Sequence, residues 1–137
     1  MTAIIDEIID LIDTEWKSGT KKPHSIEKVY DIKFRQGTKD TLVVNIVSEN
    51  HNPFGIGANE FQVDYALSID VMSGKSEERC REIKDEIVRI FRKRLKVDKD
   101  YVVVTHIAVL HEELRKMYRY IIDIEWKRWY YANGSEI

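Results

Sequence analysis

No stretch of the chain constrains its fold more than Phe61–Met72. There Phe61, Val63, Tyr65, Leu67, Ile69 and Val71 alternate with Gln62, Asp64, Ala66, Ser68 and Asp70. Successive side chains on a strand point to opposite faces, so a strict period of two marks a strand with one face in a core and one polar face. A chain carrying such a strand must also supply neighbours for its edges and a layer to cover its apolar side.

Two amphipathic segments can form that layer. From Ile4 to Trp16, the residues Ile4, Ile5, Ile8, Ile9, Leu11, Ile12 and Trp16 recur at helical spacing, while Asp6, Glu7, Asp10 and Asp13 fill the complement. Ser18-Gly19-Thr20 ends this helix, and Lys21-Lys22-Pro23-His24 cannot extend it, because Pro23 lacks a donor and restricts the residue before it. After the alternating strand, Ser73-Gly74-Lys75 turns the chain and Ser76 is an N-cap, with Glu77 and Glu78 at the positive end of a helix dipole. This second helix runs to about Lys96, with Cys80, Ile83, Ile87, Ile90, Phe91 and Leu95 on one face and Arg92, Lys93, Arg94 and Lys96 at its negative end.

Strands for the edges are also legible. Lys28–Phe34, with Tyr30, Ile32 and Phe34 on one side, and Thr41–Ser48, with Leu42, Val44 and Ile46, flank Gln36–Asp40 and predict a β-hairpin. Val43 and Val47 add apolar residues on the other face of Thr41–Ser48, which suits a central strand. Tyr101–Leu110 is rich in β-branched residues, and Tyr118–Trp126 alternates Tyr118, Tyr120, Ile122, Ile124 and Trp126 with Arg119, Ile121, Asp123 and Glu125. Ser48–Glu60 has no periodicity, and its Asn, Gly and Pro residues predict a loop. The expectation is an α+β fold in the order α-β-β-β-α-β-β, a mainly antiparallel sheet of about five strands with two helices packed on one side.

The chain has 137 residues, the size of one domain, and residues 1–137 are read as a single unit. Lys+Arg number 22 against Asp+Glu 24, so no excess of either sign points to nucleic acid or to disorder. Cys80 is the only cysteine and can form no intramolecular disulfide. The apolar start carries Asp6, Glu7, Asp10 and Asp13 where a signal peptide would be positive and then uninterrupted, and no apolar run is long enough to span a bilayer. These features predict a protein that is cytosolic, or assembled in a cytosol, without a membrane partner.

Candidate chemistry fails on spacing. His24, His51, His106, His111 and Cys80 are scattered, and His106 and His111 fall on opposite faces of a strand, so no metal site is expected. Cys80 lies on an apolar stripe, the place of a buried structural thiol. Asp64 and Asp70 share the polar strand face but lie six residues apart, about 20 Å at strand rise, too far for an acid–base pair and expected to be solvated. Gly55-Ile56-Gly57 lacks the later glycine and the Lys-Ser/Thr pair of a phosphate loop, and Gly74-Lys75-Ser76 lacks the upstream glycine. No enzyme activity and no cofactor are expected.

Contact surfaces are better candidates. Trp126-Lys127-Arg128-Trp129-Tyr130-Tyr131 interleaves basic and aromatic residues. Such a run suits stacking on single-stranded nucleic acid, a subunit contact, or packing within the domain. In the expected loop, Asn52, Pro53, Phe54 and Ile56 set large apolar side chains among polar ones. They would dock on a neighbouring subunit or fold back on the domain's own core. The contact set is therefore Asn52, Pro53, Phe54, Ile56, Trp126, Arg128, Trp129, Tyr130 and Tyr131.

The segment FQVDYALSIDVMSGKSEERCREIKDEIVRIFRKRL resembles the centre of the tail terminator and tail-completion (head–tail joining) proteins of tailed viruses and prophages. In those families a strand ending in an Ile-Asp-Val-like segment runs through a small polar turn into a helix of the Ser-x-x-x-Ala-x-x-Ile/Val kind. Ile69-Asp70-Val71, Ser73–Ser76 and Cys80-x-x-Ile83 occupy those places here. The order of elements before and after agrees as well, whereas Pro23 and His24 match the family's proline-containing stretch only loosely.

This resemblance implies a virion component of the tail–neck region, assembled in the host cytoplasm. Its subunits would form a homo-oligomeric ring, typically a hexamer, that caps the tail tube and joins it to the head connector or neck protein. No sequence-specific nucleic acid partner is implied. The competing expectation is a cellular α+β module that binds a peptide or small ligand through its sheet.

Overall fold

In the computed structural model the described residues are 4–16, 19, 22–23, 25–27, 40–53, 60–74, 76–93, 96–97, 100–112 and 117–131. In chain order their elements are α1 (Ile4–Glu15), β1 (Ser25–Glu27), β2 (Thr41–Pro53), β3 (Glu60–Ser73), α2 (Glu77–Lys93), β4 (Lys96–Val97), β5 (Asp100–Glu112) and β6 (Met117–Tyr131). They build one sheet in the order β1-β2-β3-β6-β5-β4. The four long strands are successively antiparallel, while β1 is parallel to β2. This is the α+β class expected, with the alternating strand at the centre of the sheet.

Register turns the alternation into a core. Leu42, Val71 and Tyr120 form one row across the sheet, Val44, Ile69, Ile122 and Ile107 the next, and Ile46, Leu67, Ile124 and Val104 a third. All of these side chains lie on the face covered by the helices. Ile8 and Ile12 of α1 and Cys80, Ile83, Ile87 and Phe91 of α2 are fully buried against them. Burying each large aliphatic contributes roughly 1.5–3 kcal/mol, which makes this layer the main source of stability. The Ser76 hydroxyl accepts from the Arg79 amide at 3.1 Å and so caps α2 as its sequence position predicts.

The sheet departs from the sequence reading at its margins. Ser48–Pro53, expected as loop, continues β2 and pairs residue by residue with Phe61–Ala66. Asn and Pro are poor strand formers, but β3 extends past them and offers a ladder for their backbone groups. Lys28–Phe34 of the expected hairpin lies outside the described residues. What flanks Thr41–Val43 is Ser25–Glu27, running parallel, so β2 has a described neighbour on both sides only there. Helix α2 stops at Lys93, and Lys96-Val97 already pairs with Tyr101 and Asp100. Among the described residues the long strands number four and the short ones two.

Buried charges tie the layers together. The Arg128 guanidinium on β6 donates to Asp100 Oδ2 at 2.7 Å and to Glu7 Oε2 at 2.6 Å, joining α1, β5 and β6. Burial pulls its pKa down, but the hydrogen bonds to Asp100 and Glu7 outweigh that and hold it above the ordinary arginine value. Arg79 donates to Asp40 Oδ2 at 3.0 Å, and Ser73 donates to Asp40 Oδ1 at 2.7 Å, which pins the start of α2 to the chain entering β2. Arg89 donates to the Glu15 carbonyl at 2.8 Å and closes the C-terminal end of α1. On the sheet's other face Asp70 is fully buried and ion-paired with Arg119 at 2.7 Å, where the sequence reading expected a solvated carboxylate. A neighbouring cation across the β3–β6 ladder makes that burial tolerable.

Arg128→Met should lower stability by about 3 kcal/mol, since it leaves two carboxylates facing an apolar layer. The midpoint of urea unfolding measures this, and an unchanged midpoint would show that the ion pair is not structural.

Candidate functional site

The aromatic and basic end of β6 divides by strand parity. Trp126, Arg128 and Tyr130 point to the helix side and are 3%, 8% and 8% exposed. Trp126 Nε1 donates to Asp100 Oδ2 at 3.0 Å, and its ring meets Phe91 edge-on at 6.4 Å. Tyr130 shares a 2.9 Å hydroxyl hydrogen bond with Tyr65 and stacks on Phe61 at 5.9 Å. Contrary to the contact expectation, these three side chains are committed to the domain's own interior. Strand extension is the reason: β6 runs on to Tyr131 beside β3 and carries the core face with it.

Trp129 falls on the opposite, outer face and is half-buried, in register with Gln62, which in turn lies opposite Asn52. Asn52 and Pro53 are exposed at the end of β2, with Asn52 Nδ2 donating to Asp64 Oδ2 at 3.2 Å. Tyr131 ends β6 opposite Glu60. Phe54 and Ile56 lie outside the described residues. Asn52 and Trp129 thus share the outer face at one end of the sheet, two ladder steps apart.

That outer face is hollowed. A groove of about 420 Å³ runs across it between Val47 and Asn50 on β2, Asp64 and Ala66 on β3, Asp123 and Glu125 on β6, and Thr105 on β5. Its walls form at two register shifts, one between Ile46 and Ser48 and one between Val104 and His106. An extra residue in one strand bends it and increases local twist, so paired bulges on the two flanking strands curl the sheet about its β3–β6 centre. The groove is acidic at Asp64 and Asp123, while Glu125 is paired with Lys127 at 3.3 Å. Asp64 Oδ1 is a buried acceptor without a hydrogen-bond partner.

The chemistry-bearing residues remain apart. His51 lies 3.5 Å from Glu49, His106 is exposed opposite Asp123, and His24 is outside the described residues. Among the described residues no group of three or more His, Cys, Asp or Glu is arranged to hold a metal ion. The Cys80 sulfur sits 3.4 Å from the Tyr118 carbonyl. Burial, reinforced by the charge of Asp40, pushes its thiol up to about 12.

Sequence reasoning missed a different set of residues. Val47, Tyr101, Val109 and Leu110 are exposed large hydrophobics, at 63%, 41%, 66% and 42%, and all four lie on β2 or β5. The only sequence signal was Val47 falling off the alternation of its strand. Whether a valine is core or edge depends on which strand lies beside it.

By sequence the chain matches no family model and no characterised relative. By structure it is similar, over 100% of its length, to the sheath/tube terminator of an extracellular contractile injection system solved by electron cryo-microscopy, with a TM-score of 0.53 and 8% identity. The fold is tail-terminator-like. The chain spans 60% of the length of that terminator, and at this identity the likeness is one of fold alone.

Cys80 links this packing to pH. Its unfolded thiol ionises near the ordinary value, while the folded one stays neutral until about pH 12. The unfolded state therefore binds fewer protons across that window, and its stabilising contribution, complete below the ordinary value, is lost as pH rises towards 12. Melting temperature should fall above about pH 9, and less steeply in Cys80→Ala. Equal slopes for the two proteins would remove the thiol from the account.

Proposed function

We propose that the protein is a structural component of a virus or prophage tail, a terminator whose subunits form a ring that caps the tail tube and joins it to the head connector or neck protein. The observation that carries this reading is the terminator-like fold spanning the whole chain. The four exposed hydrophobics on the outer strands support it, since such residues on a strand margin are normally protected or covered. In this reading the chain is not an enzyme and needs no cofactor. Its work is steric: each subunit offers one surface to its ring neighbours and others to the tube below and the connector above. Head-to-tail contacts of one kind close such a ring when the rotation per subunit divides the circle, here into six. The location is the tail–neck region of a virion assembled in the host cytoplasm.

The outer-face groove favours a second reading, a cellular module that binds a peptide or small ligand on its sheet. Multi-angle light scattering of the purified protein, with tail tubes added in a second series, separates the two. The ring reading expects a species near six times the 16.2 kDa chain, or binding at tube ends. A strict monomer at high concentration with no affinity for tubes or connectors overturns it.

A further inference from the structure

The two outermost long strands differ from the rest of the surface in one respect. Every exposed large hydrophobic among the described residues lies on β2 or β5, yet neither Val44–Pro53 nor Val102–Glu112 contains a lysine or arginine, in a chain that has 22 of them. Lysine is a common guard on strand edges, because unpaired backbone groups there accept another strand. Here both edges lack it and carry valine or leucine instead.

Strand direction adds a second constraint. Because β2, β3, β6 and β5 are successively antiparallel, β2 and β5 run in opposite directions. Laying β5 of one copy beside β2 of the next therefore continues the antiparallel alternation without interruption. The short strands set where the two can meet. Among the described residues, β1 covers β2 at Thr41–Val43, and β4 covers β5 at Asp100 and Tyr101. Those positions are at opposite ends of the sheet.

The stretches that no described strand covers are consequently displaced along the strand direction. The middle of Val44–Pro53, at Ser48, shares a row with Val103, whereas the middle of Val102–Glu112 is Ile107. The offset is four residues along β5, one of them the bulged Thr105, so three ladder rows, about 10 Å at strand rise. A constant stagger of one sense at every junction is the shear that a sheet needs to close into a barrel. The bulges at Val47 and Thr105 supply curvature on the same two strands.

We propose that the ring closes by edge-to-edge pairing, with β5 of one subunit adding antiparallel to β2 of the next copy, so that the sheets run continuously around it. This rests on the ring reading above. Centring one uncovered stretch on the other sets Asn50 opposite His106 and Ser48 opposite Ala108. In each pair both residues belong to the outer face, as their partners Asp64, Asp123, Ala66 and Ile121 show, and Val47 comes beside Val109. A head-to-tail junction covers both apolar edges of every copy. Symmetric pairing of β2 with β2 would leave Val109 and Leu110 exposed.

The test uses the full chain with Asn50→Cys, His106→Cys, or both, oxidised at the concentration where wild type forms its ring. The double variant should give a ladder of disulfide-linked species ending at the closed ring on a non-reducing gel. An equimolar mixture of the single variants should stop at dimers, and each single variant alone should stay uncrosslinked. Val47→Lys and Val109→Lys should each reduce the light-scattering mass to that of a monomer, with circular dichroism unchanged. Rings that persist in both lysine variants, with no crosslink in the double variant, overturn edge pairing and leave the ring reading standing. Dimers in Asn50→Cys alone overturn it in favour of a two-fold junction. A wild type that is monomeric alone and on tube ends removes the ring reading itself.

Discussion

Ile69 lies opposite Ile122, and Leu67 opposite Ile124, in an uninterrupted antiparallel ladder from Glu60↔Tyr131 to Ser73↔Tyr118. Every other feature depends on that register. A shift by one residue would turn Val63, Tyr65, Leu67, Ile69 and Val71 away from both helices and bring Asp64 and Asp70 under them. With the register as it is, one apolar face accepts α1 and α2, and the other carries Asp70 paired with Arg119. The Asp70–Arg119 ion pair also acts against alternatives, since a slipped strand would bury Asp70 without a partner.

Around this rigid centre the flanking strands are less regular. β2 and β5 each pair with the central strands for most of their length but bulge once, at Val47 and at Thr105. The bulges bend the sheet, and the bulged Val47 and Thr105 line the groove on its outer face. Among the described residues, most of the outer edge of β2 and of β5 has no paired strand.

The centre was legible in the sequence because its signals are local. Alternation over Phe61–Met72, the stripes of both helices and the Ser76 cap all arise from residues close together in the chain, and the structure places them as read. The margins were harder. Ser48–Pro53 read as part of a loop, because the stretch to Glu60 lacks periodicity and holds Asn, Gly and Pro, yet β3 draws its first residues into a ladder. Trp126, Arg128 and Tyr130 read as contact residues, because basic and aromatic side chains are typical of interfaces. The continuation of β6 placed them on the helix side, where Asp100, Glu7 and Tyr65 satisfy their polar atoms.

By itself, then, the sequence determined the α+β class, the order of its helices and long strands and the face each one buries, since periodicity is written in neighbouring residues. Only the tertiary structure decided which strands stand at the edges, where the bulges fall, and which of the conspicuous side chains meet solvent. Those properties belong to pairs of strands distant in sequence. Val47 and Val109 look like any core valines until the strand beside each is known.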